Sequence, residues 1–165
     1  MNLSQSINTR ITHLEDCEAI KNLKYRYFDA CDTKDTQSMI ECFSHNAVHI
    51  DYEDFGIFNT AKKMVNKFKL FSCFDHLLEH HSGKNPIIKI TKNNASAHWS
   101  LNYFLVDTNK KITLNLTGFY KDIYIKESGK WLIKESVFKK TSSFYQKIDK
   151  GVMSNPIAAR SLGFK

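Results

Sequence analysis

Leu14-Glu15-Asp16-Cys17-Glu18-Ala19-Ile20-Lys21-Asn22-Leu23-Lys24-Tyr25-Arg26-Tyr27-Phe28-Asp29-Ala30-Cys31-Asp32 reads as one helix. Leu14, Cys17, Ile20, Leu23, Tyr27 and Ala30/Cys31 recur in steps of three and four, which aligns them as a single apolar stripe. The spacing predicts a helix over 11–31. A second helix is predicted over 36–43, capped by Asp35 or Thr36, with Met39, Ile40 and Phe43 inward. Residues 47–52 and 55–58 read as a short hairpin turned near Gly56. Asn59 or Thr60 then caps a third helix whose stripe is Ala61, Met64, Val65, Phe68 and Phe71.

From about Leu77 the apolar period changes from helical to two. Strands are predicted over 77–81, 87–91, 95–107, 112–125 and 131–141. The separators carry turn chemistry: Lys92-Asn93-Asn94, Asp107-Thr108-Asn109-Lys110 and Glu127-Ser128-Gly129-Lys130. Helices followed by a long antiparallel meander imply an α+β domain. The expected form is a cone-shaped α+β barrel, with N-terminal helices packed on a strongly curved, mostly antiparallel sheet that encloses a pocket. Residues 1–147 form this single domain. Residues 148–165, with Gly151, Pro156 and Gly163, read as a tail or a partner-contacting arm.

The 165 residues suffice for one domain and one core. Hydrophobic residues at 42% and only six Gly and two Pro exclude a disordered or low-complexity chain. No run of 18 apolar residues offers a membrane span, and the polar start at 1–10 is no secretory signal. A cytoplasmic location is expected. Cys17, Cys31, Cys42 and Cys73 lack Cys-x-x-Cys spacing, so reduced, packed thiols are expected rather than a disulfide framework or a thiolate zinc site. The asparagines of Asn94-Ala95-Ser96 and Asn115-Leu116-Thr117 match glycosylation acceptors, which a non-secreted chain does not use.

The net charge of +7 is uneven. Residues 1–83 hold 9 basic and 12 acidic residues, whereas 84–165 hold 15 and 5. The basic half raises a nucleic-acid reading. Its lysines are spread singly along strand-like segments, however, where outward alternation puts them in water, and the polar face of a sheet is the preferred account. No phosphate-cradling Gly-rich loop and no Gly-x-Ser-x-Gly elbow is present.

The stretch from Leu14 to Asp32 resembles the opening helix of SnoaL-like proteins of the nuclear transport factor 2-like superfamily, which runs roughly Leu-x-Asp-x-x-Ala-Ile-x-x-Leu-x-x-x-Tyr with an Asp five residues on. His80-His81-Ser82-Gly83-Lys84-Asn85-Pro86 is similar to the family's histidine-bearing strand. Gly118-Phe119-Tyr120-Lys121-Asp122 with Tyr124, and Gly129-Lys130-Trp131-Leu132-Ile133, resemble its closing strands. Within the superfamily the arrangement most resembles the bile-acid 7α-dehydratases and, more distantly, the scytalone dehydratases. By motif position the resemblance implies a catalytic tyrosine at Tyr27, a helix-end aspartate at Asp32 and a histidine at His81. The family's second acid falls near Tyr103 and its late-strand arginine near Lys140. The resemblance also implies a homo-oligomer, dimer or trimer, packed through the sheet.

Dehydration chemistry makes the same demands without the family. Loss of water β to a carbonyl needs a base for the α-proton, a donor for the enolate oxygen and an acid for the departing hydroxide. An imidazole suits the first task, since its free pKa of about 6.5 lies near neutrality. A carboxylate on its other nitrogen fixes the tautomer and stabilises the imidazolium, and a phenol in an apolar pocket is an oxyanion donor. His81 is therefore read as base and later acid, Asp32 as its orienter, and Tyr27 as donor to a carbonyl or leaving group. Tyr27 and Asp32 lie roughly 140° apart on a helix, so they converge only if the helix has ended by Asp32. Trp99, Leu101, Tyr103, Phe104, Leu116 and Phe119 are expected to supply the wall of the substrate pocket, with Lys140 also at the pocket. Each candidate also has a structural reading: Tyr27 as core, Asp32 as a turn residue, His81 as a satisfied strand histidine.

His76-Leu77-Leu78-Glu79-His80 spells the inverted zinc-protease pattern. That pattern needs a helix, and this segment runs into strand, so no metal site is expected. The preferred reading is a cofactor-independent lyase or isomerase acting on a hydrophobic, ring-containing carbonyl compound. The alternatives are a non-catalytic ligand-binding protein and an oligomeric interaction module of the same fold.

Overall fold

The computed structural model describes residues 3–149 and 152–160, with residues 149 and 152–160 described as backbone alone. Three helices come first: α1 (Leu3–Asp32), α2 (Thr36–Glu41) and, after two short strands β1 (His49–Asp51) and β2 (Ile57–Phe58), α3 (Ala61–Phe71). Four long strands follow, β3 (Leu77–Thr91), β4 (Asn94–Asp107), β5 (Ile112–Glu127) and β6 (Lys130–Asp149), and then β7 (Val152–Arg160). The α+β architecture is as the sequence implies. Among the described residues no helix is long and apolar enough to cross a membrane.

The helix caps are as local chemistry demands. Asp35 accepts from the Ser38 backbone N–H at 3.0 Å and Thr60 from that of Lys63 at 3.2 Å. Helix α1 begins eight residues before the predicted start, and its first half stands clear of the core. Leu14 is 64% exposed, so the buried stripe starts at Ile20. Helix α2 is shorter than predicted, and Phe43 makes an isolated bridge to Ile133 instead of a last helical turn.

Strands run in the order β2-β1-β6-β5-β4-β3, antiparallel except for β1 beside β6. The two strands predicted over 77–81 and 87–91 are one strand, β3, with a bulge between Lys84 and Ile87 where Asn85 takes a positive φ of 53°. Strand β6 runs on past 141 to Asp149. Its outer edge is shared: His49–Asp51 pair with 135–137, and Val152–Arg160 pair with 142–149. Of the tail expected over 148–165, residues 150, 151 and 161–165 lie outside the described residues. The sheet curls without closing, since β2 and β3 remain its two ends.

Helices α1 and α3 fill the concave side. Ile20, Leu23, Tyr27, Phe28, Met64, Val65 and Phe68 bury against Ala97, Leu101, Tyr120 and Ile133. Two glycines permit close approach. A Cβ on Gly83 would lie 2.2 Å from the Phe28 ring, and one on Gly118 would lie 2.5 Å from the Lys139 carbonyl oxygen. All four cysteines are free thiols.

Candidate active site

The concave face holds a cavity of about 290 Å³ between α1, α3, the turn after β1, and strands β3 to β6. Its wall includes Tyr27, Cys31, Tyr52, Phe55, Met64, Phe68, Leu101, Leu116, Tyr120 and Phe138, with Glu53, Glu79, His81, Tyr103 and Lys140 as polar members. Tyr27 and Cys31 reach it from one face of α1, four residues apart. Glu79 and His81 reach it from β3, two apart, as alternation requires.

His81 is held from behind. Its Nδ1 lies 2.6 Å from Asp32 Oδ1, and its backbone N–H donates to both carboxylate oxygens at 3.1 and 2.9 Å. A carboxylate accepting at Nδ1 puts the ring proton there and leaves the Nε2 lone pair free for the cavity side. Phe28 stacks on the imidazole at 5.7 Å with planes 11° apart, and Tyr103 packs against it at 4.8 Å. Asp32 is the final residue of α1, and the chain turns away through Lys34 at φ 61°. Tyr27 therefore faces the cavity while Asp32 faces β3, and only the histidine need converge with the tyrosine. His80 points outward from the sheet edge, its side chain 72% exposed, yet its Nδ1 comes within 3.4 Å of Asp32 Oδ2. The carboxylate thus sits between two imidazoles.

The phenols keep their protons. Burial, then the neighbouring Tyr52, pushes Tyr27 well above the ordinary tyrosine range. Burial likewise raises Tyr52 and Tyr103, and it lifts the Cys31 thiol to about 12. These groups serve as hydrogen-bond partners rather than anions. The Tyr27 and Tyr52 hydroxyls lie 3.1 Å apart. Tyr103 donates to Glu79 Oε1 at 2.6 Å, while Lys34 pairs with Oε2 of the same carboxylate. Beside His81, the site therefore has a carboxylate on β3 rather than at Tyr103, and Glu53 and Asp54 also line the cavity.

Of the expected pocket residues, Leu101, Tyr103, Leu116 and Lys140 line the cavity and Trp99, Phe104 and Phe119 do not. Trp99 is on the inner face but lies farther along β4, edge-on to Tyr25 and donating to Tyr124 at 3.0 Å. Phe119 has the opposite parity to Tyr120, faces outward and stacks on His98 at 5.1 Å. Phe104 is also outside, and Leu116 is in the wall. Lys140 stands at the rim, its amine 3.0 Å from Asp54 and its backbone N–H donating to Glu53. The His-x-x-Glu-His stretch lies on or beside β3, where Glu79 and His80 face opposite sides, so it gathers no shared face.

Sequence reasoning passed over Tyr52 and Lys24, and met Glu79 only in the zinc-protease pattern rather than as a neighbour of His81. Glu79 was legible, because it shares the parity of His81. So was Lys24, since Ile20, Lys24, Tyr27 and Cys31 follow helical spacing on the buried face. Tyr52 had no such signal, as it lies in an irregular turn.

The sequence model of the SnoaL-like domain matches residues 12–137. The fold is shared with several solved structures. A protein titled a putative scytalone dehydratase, from Novosphingobium aromaticivorans, superposes with a TM-score of 0.75 at 16% identity, covering 94% of this chain and 99% of that one. LinA superposes with a TM-score of 0.71 at 13% identity, covering 94% and 95%. A type 3 LinA hexachlorocyclohexane dehydrochlorinase from Novosphingobium barchaimii gives 0.70 at 11% identity, covering 94% and 96%.

Proposed function

Because the chain belongs to the SnoaL-like family, we propose that it is a cofactor-independent lyase or isomerase of dehydratase type, acting on a hydrophobic, ring-containing carbonyl compound. The observation that carries this reading is the Asp32–His81 pair at 2.6 Å, set at the wall of a largely apolar cavity. The structural likeness to a putative scytalone dehydratase and to dehydrochlorinases is in keeping with elimination chemistry. The motif-level resemblance to bile-acid 7α-dehydratases favours loss of water.

In this reading His81 Nε2 takes the proton α to the carbonyl, and the electron pair of that C–H bond becomes an enolate. Asp32 stabilises the resulting imidazolium through Nδ1–H. As the enolate collapses, the β C–O bond breaks and its electrons leave with oxygen, which takes the proton back from Nε2 and departs as water. One such base is worth roughly two to four orders of magnitude in rate. Tyr27 donates to a substrate oxygen, a carbonyl or the departing hydroxyl. Glu79, occupied by Tyr103 and Lys34, fixes the Tyr103 phenol against the imidazole. Leu101, Leu116, Tyr120 and Phe138 supply the apolar wall.

A cytoplasmic dimer or trimer completes the proposal, and the exposed Leu78, Phe104 and Ile123 on the outer sheet offer apolar surface for it. The deciding experiment compares the parent with His81→Ala on a panel of steroid, polyketide and aromatic carbonyl compounds. Turnover by the parent and its loss in the variant are expected. Equal turnover by both would remove His81 from the mechanism, and tight binding without turnover by either would leave a ligand-binding protein.

A further inference from the structure

Behind the cavity lies a buried ion pair that the elimination scheme does not use. Lys24 on α1 and Asp122 on β5 are 2.8 Å apart with both side chains 0% exposed. The Lys24 ammonium also lies 3.7 Å from the Tyr120 ring centroid and 5.0 Å from that of Phe28. Burying a charge this deeply is costly unless every lone pair is met. Each Asp122 oxygen has a hydroxyl donor, Ser136 to Oδ1 at 2.8 Å and Tyr124 to Oδ2 at 2.7 Å, while Lys24 Nζ has the ion pair and no further hydrogen bond among the described residues. This donor set, with the ammonium, is that of an ionised carboxylate.

The ion pair is linked to the cavity by a chain with a fixed direction. Tyr52 donates to Ser136 at 3.1 Å, and Ser136 spends its own proton on Asp122. A hydroxyl has one proton. The Tyr52 oxygen is therefore left as an acceptor, and in the 3.1 Å contact with Tyr27 it is Tyr27 that donates. Both phenols line the cavity, whereas Ser136, Asp122 and Lys24 do not.

We propose that Lys24, Asp122 and Ser136 are positioning residues that hold Tyr52 as an acceptor beside the donor Tyr27, so that the substrate oxygen docking there is a hydroxyl rather than a carbonyl. A hydroxyl accepts from Tyr27 and donates to Tyr52 at once. A carbonyl satisfies Tyr27 alone and leaves the Tyr52 oxygen without a proton. The inference rests on the proposed function and narrows its substrate: the oxygen at the tyrosine pair is the hydroxyl that leaves. It requires only that the cavity bind small ring compounds, not that turnover be found.

The test is a matched pair of probes, α-tetralol and α-tetralone, titrated calorimetrically into the folded parent and its variants. The parent is expected to bind the alcohol about tenfold more tightly than the ketone, the scale of one hydrogen bond. Ser136→Ala frees the Tyr52 proton and should abolish or reverse that preference. Tyr52→Phe removes the acceptor and frees the Tyr27 proton, so it should act in the same direction and serves even if Ser136→Ala fails to fold. Ser136→Thr keeps the hydroxyl and should keep the preference. A merely structural role would weaken both probes together and leave their ratio alone. Binding of both probes with a ratio of one in the parent, or a ratio unmoved by the variants, overturns this inference and leaves the catalytic reading standing. Binding of neither probe by the parent overturns this inference, whereas the catalytic reading falls only with the His81→Ala comparison.

Discussion

The Phe28 ring lies parallel to the His81 imidazole, and the space it occupies exists because residue 83 has no side chain. One strand thus supplies both the histidine and the gap that lets its neighbour from α1 cover it. Gly83→Ala would put a methyl group 2.2 Å from Phe28 Cε2. Overpacking of this kind costs about 1–3 kcal/mol, and it must tilt the ring that clamps the imidazole. A lowered thermal midpoint by circular dichroism, with weaker activity or ligand binding, is expected. An unchanged midpoint would show that Phe28 moves freely.

Asp32→Asn preserves shape and removes charge. The amide can present its NH2 group to Nδ1 and so favour the wrong tautomer, with the lone pair facing away from the cavity. Turnover of whichever panel compound proves to be the substrate should fall by roughly two to four orders of magnitude, with substrate affinity little changed. Steady-state kinetics will separate the two constants, and a loss of less than about fivefold in kcat would mean that Asp32 does not orient the His81 base.

Lys24→Met leaves the buried Asp122 charge without its partner, a change that costs about 3–5 kcal/mol. Adding Asp122→Asn removes the orphaned charge, so the double variant should be more stable than Lys24→Met alone. Denaturant unfolding of the parent, both single variants and the double variant measures the coupling. Strict additivity of the two losses would contradict a direct pair.

Stability should fall as the solution is made strongly alkaline. The Cys31 thiol titrates near 9 in the unfolded chain and at about 12 when folded, chiefly through burial. Above pH 9 the unfolded chain therefore loses this proton while the folded one retains it, which favours unfolding. Below pH 9 both states hold the proton and the contribution is flat. The raised phenols of Tyr27, Tyr52 and Tyr120 add the same trend above pH 10. Urea midpoints at pH 8, 9, 10 and 11 will show it, and Cys31→Ala should reduce the part that begins near 9, leaving the share of Cys42, whose thiol burial also raises.

Helix and strand periods, caps and turns are short-range properties, and they were legible. The Asp35 and Thr60 caps and the Ser128-Gly129 turn, with φ of 49° and 80°, are as the residues require. The early start of α1 was not, because Leu3, Ile7 and Ile11 are exposed and carry no packed stripe to read. Nor was the continuity of β3, where a bulge at Asn85 absorbs what looks like a break before Pro86.

Helix period and strand alternation determined, from the sequence by itself, the α+β fold, while Tyr27, Asp32 and His81 were named by the family resemblance, with parity separating His81 from His80. Parity alone would also have placed Glu79 with His81 and Phe119 outside. Only the tertiary structure decided that Asp32 bonds His81 at 2.6 Å, that Trp99 lies under Tyr25 beyond the cavity, and that Tyr52, Ser136, Asp122 and Lys24 form one chain. The reason is physical. A period reports which side of its own element a residue faces, whereas the hydrogen bonds of a buried polar group depend on how separate elements are stacked and curled.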